Sequence, residues 1–374
     1  MRLGFDAKRV FHNATGLGNY SRDVLRILSR RRPADAYVAY SPSPGALPAE
    51  AGGDAVEVRG PRSALARALP ALWRTRLVVG DLRADRIDLF HGLSNELPLG
   101  IEESGVGSAV TIHDLIFERL PELYSPLDRR IYAMKARSAV RRAGVVVSVS
   151  EQTKRDLVEL YGVDPARIRV VYQTCREAFR APVAPERLRE VAARYELPER
   201  FLLAVGTIER RKNLLVALRA LERLPGVLLV AVGRPTPYAE ELVSFARARG
   251  LASRVRLLSD VSTPDLAAMY RLATVSLYPS LLEGFGIPIV EALFSGTPVV
   301  TTRGGCFAEA GGPGSAYVDP HDADGLRETL ARLLEDEGAR ARMREEGLRH
   351  AARFSDEVIA DGLSAAYGEA LARR

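Results

Sequence analysis

The chain has 374 residues, 47% hydrophobic and 27% charged, with a formal charge of +6. That length suits two domains with full cores, and the composition is that of a folded globular protein, not a disordered, collagenous or membrane-spanning one. Two cysteines, Cys175 and Cys306, and five histidines without metal-binding spacing leave out a disulfide framework and a zinc centre. Together with a first segment, MRLGFDAKRV, that reads as a strand and not a leader, they point to a reducing cytoplasm. The positive balance, with arginine clusters at 30–32, 129–130 and 141–142, favours anionic partners: a phosphorylated substrate, an acidic lipid surface or nucleic acid. For any one cluster, a solvated arginine-rich face is the simpler reading.

In chain order, residues 2–7 predict a strand. A loop follows, VFHNATGLGNY, holding Gly16 and Gly18, and then a helix over about 19–29. Strand, glycine loop and helix open a nucleotide-binding βαβ unit, although GxG is too short to be the dinucleotide fingerprint. A second strand falls at 37–40, a loop rich in Pro, Gly and Ala at 41–53, a helix at 65–82, and strands at 89–91 and 109–112. The last two deliver His91 and His113 to strand ends, where ligands of open α/β sheets gather. A lone histidine more often satisfies a backbone group, so His113, with Asp114 directly after it, is the better candidate. Residues 125–143 form a helix with arginines between apolar side chains. It reads as an amphipathic surface helix or as a basic face lying on an anionic membrane. Strands at 145–149 and 168–171, with a helix from Ser150 to about Tyr161, complete a first domain with a parallel sheet. The pattern weakens over 173–185, which reads as the interdomain linker.

The second domain repeats this logic. After a short helix at 187–195, a strand at 201–205 runs into GTIERRKN, and the helix NLLVALRALERL follows. Arg210, Arg211 and Lys212 beside a glycine turn at a helix start suit a diphosphate; a solvated basic turn is the alternative. Strands at 227–232, 255–258, 275–278 and 298–301 alternate with helices at 238–249 and 265–271, and helices from Ala323, at 337–353 and at 355–372 end the chain. Within YPSLLEGFGIPIVEALFSGTPVV, residues 278–300, Pro288 opens a helix. Backbone N–H groups near Phe285 and Gly286 then form an anion site flanked by Glu283 and Glu291. An anion cradle between two carboxylates suits a nucleotide-sugar; an ordinary βα turn is the alternative. Asp322 and Asp324 form a DxD, but a Pro turn at a helix start suits an N-cap better than a metal. GxSxG and GxxxxGK[ST] are absent, which argues against a serine hydrolase and a P-loop NTPase, and no nucleic-acid module is present.

GTIERRKN, YPSLLEGFGIPIVEAL with its E-x7-E spacing, and SGTPVV resemble the family 4 glycosyltransferases of the GT-B fold. GFDAKRVFHNATGLGNYSRDVL, TIHDLIFERLPELYS and VSVSEQTKRDL are similar too, so the resemblance covers nearly the whole chain in order. It looks most like the mannosyltransferase-like branch that builds bacterial surface polysaccharides. The resemblance implies an α/β fold class, with two Rossmann-like parallel-sheet domains facing across a cleft. Residues 1–176, joined by the C-terminal helix 355–374, would form an acceptor-side domain, and 177–354 the nucleotide-sugar-binding domain. It implies retaining, metal-independent transfer from a nucleotide diphosphate sugar to a lipid-linked or polysaccharide acceptor. No cofactor is needed besides the donor, and the protein would be cytoplasmic, with a peripheral contact at the inner face of the membrane. Carried over residue by residue, Glu283 would bond donor-sugar hydroxyls and Glu291 the ribose. Gly284 and the N–H groups of Phe285 and Gly286 would approach the sugar and phosphate. Lys212, with Arg211, would neutralise the leaving diphosphate. Gly16 and Gly18 would let the N-terminal loop close on it, and His113 would sit beside the reacting sugar.

Two departures stand out. Thr207 occupies the position where some relatives carry arginine, and YQTCREAF replaces a proline-glycine type turn after the strand at 168–171. Two other classes compete with transfer: a non-catalytic nucleotide-sugar or polyanion binding protein, and a glycoside hydrolase using Glu283 and Glu291 as acid and nucleophile. The hydrolase has no use for the basic turn. Donor base, sugar, acceptor and linkage are not legible in the sequence.

Overall fold

The computed structural model describes residues 1–13 and 15–373. Two compact units make up the chain: Met1–Thr174 with Phe354–Arg374, and Cys175–Arg353.

The first unit is built on a seven-stranded sheet with the order β3-β2-β1-β4-β5-β6-β7. Its strands are β1 (Arg2–Asp6), β2 (Ala36–Tyr40), β3 (Val56–Arg59), β4 (Leu89–Gly92), β5 (Gly107–Ile112), β6 (Val145–Ser148) and β7 (Ile168–Val170). All pairings are parallel. Side chains alternate between faces. Tyr37, Ala39, Val145 and Val147 point to one core, while Val38, Tyr40 and Val146 point to the other. Strands β2 and β6 therefore carry apolar side chains on both faces. The last helix, Asp356–Ala372, is capped by Ser355 and sends Ile359, Leu363, Tyr367 and Ala370 into the first of these cores. Each large side chain so buried contributes about 1.5–3 kcal/mol, and Arg26 pairs with Asp356 at 2.5 Å.

Three sequence expectations change in this unit. The VEVR segment, with no continuous apolar run of its own, is the edge strand β3. The single helix over 65–82 is broken: before Pro70, Leu69 leaves the helical region (φ −125°, ψ 66°), as a residue preceding proline tends to, and a π-helical turn follows at Trp73–Leu77. The glycine loop is mostly helix, with Lys8–His12 forming one short helix and Gly16–Arg31 another.

The second unit holds six parallel strands in the order β10-β9-β8-β11-β12-β13. They are β8 (Phe201–Val205), β9 (Leu228–Val232), β10 (Val255–Leu258), β11 (Val275–Tyr278), β12 (Val299–Thr302) and β13 (Ala316–Val318). Strand β13, three residues long, gave no periodic signal. Asp322 accepts from the Gly325 N–H at 2.8 Å and so caps the helix Ala323–Glu335, as its setting in the sequence suggested.

Candidate active site

In the second unit β8 has β9 on one side and β11 on the other, so the sheet order reverses between β8 and β11. Ligands of open α/β sheets lie beyond the strand carboxyl ends at such a point. Both basic and acidic motifs begin there. Gly206 follows β8 with φ 140°, and a Cβ on Gly233 would fall 1.9 Å from the Gly206 carbonyl oxygen, so these two turns meet backbone to backbone where only glycine fits. Asn213 takes the left-handed conformation (φ 55°). Its amide donates to the carbonyls of Pro279 (3.2 Å) and Pro320 (2.7 Å), fastening the basic turn to the turns after β11 and β13.

The two motifs close on each other. Lys212 Nζ donates to Glu283 Oε1 at 2.6 Å and to the Tyr278 hydroxyl at 2.8 Å, and lies 4.9 Å from the Tyr278 ring centroid. Arg211 meets Glu283 Oε2 at 2.6 Å, the Leu282 carbonyl at 2.8 Å and Glu209 at 2.6 Å. Burial opposes charge on Glu283, but Lys212 and Arg211 outweigh it and hold the carboxyl down to about 2. Burial pulls the Lys212 ammonium below its ordinary value, with Glu283 opposing. The residue expected to take phosphate, Lys212, and the one expected to take sugar, Glu283, thus share one buried contact. Arg210 is not part of it: it pairs with Glu241 at 2.6 Å and lies over the Tyr238 ring.

Gly286 caps the helix Ile287–Phe294 with φ 110°, and Pro288 sits in the first turn. Phe285 is buried beneath this turn. Glu291 is also buried and accepts from the Tyr270 hydroxyl at 3.1 Å. Cys306, which carried no signal in the sequence, holds the loop from below. Its thiol, pushed well above its ordinary pKa by burial, donates to the carbonyls of Phe285 (3.0 Å) and Glu283 (3.3 Å). Tyr278 was likewise legible only as a strand residue.

In the first unit His113 follows β5 and is buried. Its Nε2 donates to the Leu93 carbonyl (2.9 Å), so Nδ1 accepts from the Gln173 amide (3.0 Å). Burial holds the imidazole to about 4, hence neutral near pH 7. Both ring nitrogens are already engaged. His91 is engaged in the same way: its nitrogens bond the hydroxyls of Tyr367 and Thr111, both at 2.8 Å, and burial holds it to about 3. Gly16 and Gly18 do not lie in an open loop. They form the first turn of the Gly16–Arg31 helix because the Asn13 side chain accepts from the N–H groups of Thr15 (2.8 Å) and Gly18 (3.2 Å). A Cβ on Gly18 would sit 1.8 Å from the Asn13 carbonyl oxygen, so this glycine serves close packing.

Comparison with known proteins gives the same reading. The model of glycosyl transferases group 1 matches residues 189–350, and that of Glycosyltransferase Family 4 matches 14–174. The chain is 29% identical over 279 residues to O-antigen chain mannosyltransferase B of Escherichia coli, covering 72% of this chain and 71% of that one. It is 32% identical over 325 residues to D-inositol 3-phosphate glycosyltransferase of Salinispora tropica, covering 78% and 67%. Against the serotype-specific mannosyltransferase WbdA of Escherichia coli, 27% identical, it spans 34% of the relative's length. Among solved structures, Anabaena HepE in complex with UDP and glucose matches with a TM-score of 0.76 at 19% identity over 98% of both chains, a likeness of fold. With both family models in order along the sequence and two parallel-sheet units of this topology, the chain belongs to the family 4 glycosyltransferases and has the GT-B fold.

Proposed function

We propose that the chain is a retaining, metal-independent glycosyltransferase moving a sugar, of mannose type, from a nucleotide diphosphate sugar to a lipid-linked or polysaccharide acceptor. The observation that carries this is the buried Lys212–Glu283–Arg211 cluster at the reversal point of the second sheet. A pocket for a neutral ligand gains nothing from two buried cations. A leaving diphosphate does, because charge builds on it as the glycosidic bond breaks. On this reading Lys212 and Arg211 take the diphosphate, and Glu283, ionised at any working pH, accepts from donor-sugar hydroxyls. Glu291, buried beside Tyr270, takes the ribose. The backbone around Gly284, Phe285 and Gly286, at a helix N-terminus, approaches sugar and phosphate. His113, neutral and with its proton held on Nε2, positions the sugar without exchanging a proton.

Transfer proceeds on one face of the sugar. The bond from the anomeric carbon to the diphosphate oxygen breaks, the bond to the acceptor oxygen forms, and the departing diphosphate takes the acceptor proton. Mannosyltransferases among the relatives, and UDP and glucose bound to HepE, support the donor class. Hydrolysis fits worse: a glycosidase acid needs a carboxyl raised toward neutrality, and Glu283 is shifted the other way. The lipid-linked acceptor goes with a cytoplasmic protein that touches the membrane through the basic helix Pro126–Arg142.

A thermal-shift and hydrolysis screen over UDP-, GDP- and ADP-sugars tests this. A donor that stabilises the protein and is slowly hydrolysed supports it; binding without turnover of any donor supports a non-catalytic binding protein. Glu283→Ala and Lys212→Ala should each remove most transfer while the protein stays folded. Near-normal turnover by both would overturn the site.

A further inference from the structure

We infer that the first unit docks on an anionic lipid bilayer through two elements, an apolar segment at 65–72 that inserts and the Pro126–Arg142 helix that supplies charge. The inference deepens the membrane contact proposed above and does not depend on transfer.

Among the described residues eleven large hydrophobic side chains are exposed, and eight of them fall between 65 and 134. Leu65 (61%), Leu69 (45%) and Leu72 (41%) project from a stretch, 62–72, in which only Ala66 is buried. Ala66 and the fully buried Trp73 anchor that stretch to the core under one face of the sheet. Ala136, Ala139 and Val140 anchor the basic helix to the same core, leaving Leu127 (68%) and Met134 (62%) outside.

One loop stitches the two elements together. Glu96 pairs with Arg74 (2.5 Å) and with Lys135 (3.1 Å), and the Leu99 N–H donates to the Thr75 carbonyl at 2.7 Å. Both elements therefore belong to one side of the unit.

The charge around the leucines is positive. Arg62, Arg67 and Arg76 are exposed about the apolar segment, with Arg62 paired to Asp85, and the helix carries six cations against one acid of its own, Asp128, with Arg142 paired to Glu102 at 3.6 Å. Asp128 is held at the helix start by Ser125, and Glu118 lies between Arg129 and Arg137. A solvated face accounts for the arginines but not for a cluster of bare leucines. Leucines flanked by arginines match the interface of a bilayer with anionic headgroups: apolar tips enter the acyl boundary, and guanidinium groups stay at the phosphates.

The test is co-sedimentation of the full chain with vesicles of phosphatidylcholine alone and of phosphatidylcholine mixed with phosphatidylglycerol. Binding to the mixed vesicles and not to the neutral ones is expected. Leu65→Ser, Leu69→Ser and Leu72→Ser combined should weaken partition by roughly tenfold or more per leucine that inserts, with hydrolysis of soluble nucleotide-sugar unchanged. Arg130→Glu with Arg141→Glu should weaken it by at least roughly fivefold per residue, in a salt-dependent way. If the leucine variant binds as the parent does and the arginine variant does not, the helix alone makes the contact and the insertion is refuted. If the parent ignores anionic vesicles, the membrane contact fails with it. A concentration-dependent dimer that disappears in the leucine variant would assign the leucines to a second copy and overturn the proposal. Vesicle binding by a chain that turns over no donor would leave the docking intact and remove the transferase reading.

Discussion

Replacing Glu283 with Gln probes the electrostatic centre of the second unit. Gln keeps the shape and part of the hydrogen bonding, but Lys212 then loses its carboxylate partner and Arg211 keeps only Glu209. The size follows from the carboxyl: a drop from 4.5 to about 2 corresponds to about 3 kcal/mol. The side chain is 10% exposed, so solvent screening removes little of this. A carboxyl whose pKa is depressed by folding contributes stability that is complete above its unfolded value and is lost as the pH falls through the folded one. The Gln variant should therefore be less stable by about 3 kcal/mol near neutral pH, and the gap should close between 4.5 and about 2. Adding Lys212→Met should recover part of the loss, because one buried cation no longer lacks a partner. Urea unfolding followed by far-UV circular dichroism across this pH range gives the measurement. The single tryptophan, Trp73, lies in the first unit and reports on that unit separately. A gap that stays constant down to acid pH, or losses that simply add in the double variant, would refute the coupling.

Both cysteines are buried, so a thiol reagent such as Ellman's should label neither in the native protein and both after denaturation; fast native labelling of a Cys306-only variant would contradict its role under the loop. Gly233→Ala places a Cβ 1.9 Å from the Gly206 carbonyl; it should cost about 1–3 kcal/mol by urea titration and weaken nucleotide binding, and a variant with parental stability would refute the close approach. His91 and His113 stay neutral when folded, with values of about 3 and about 4 against an ordinary 6.5. The unfolded chain then binds more protons in acid, so Trp73 fluorescence in urea should show stability falling as the pH drops below 6.5. The fall should be shallower in His113→Gln, and a flat profile in that range would remove the assignment.

The sequence reads well where one physical cause dominates. Some buried parallel strands are nearly continuous apolar runs, so β6, β8 and β9 were visible from Val, Leu, Ala and Phe. Pro288 marked the helix start, because its constraint is local. What could not be read depends on partners distant in the chain. Lys212 and Glu283 are 71 positions apart, and nothing in either motif says that the phosphate candidate is the counter-ion of the sugar candidate. The glycine loop misled for a similar reason. GxG signals a turn, but the Asn13 side chain caps a helix over it, and Gly18 is required by the approach of a carbonyl. His91 at a strand end looks like a ligand residue until Tyr367, from the far end of the chain, arrives to occupy it.

The ion pair also bears on what the site can select. Lys212 and Arg211 need counter-charge if they are to stay buried; Glu283 supplies it at 2.6 Å to each, and Glu209 adds to it at Arg211. A ligand that uses these cations must offer enough negative charge to share them with an ionised carboxylate. A free monosaccharide offers only hydroxyls. It can donate to Glu283, but it cannot replace any of the charge the cations see. A diphosphate brings its own charge, takes up part of the field of Lys212 and Arg211, and leaves the Glu283 oxygens freer to accept from sugar hydroxyls. On the proposed function, binding of the nucleotide diphosphate and recognition of the sugar are coupled through one carboxylate, and the coupling is reciprocal. Free sugar should bind weakly alone and more tightly once the nucleoside diphosphate is present, and Glu283→Gln should abolish that cooperativity more completely than it weakens the nucleotide. Calorimetric titration of sugar into the protein with and without the nucleoside diphosphate measures this, and equal sugar affinity in both would show that Glu283 does not link the two halves of the site.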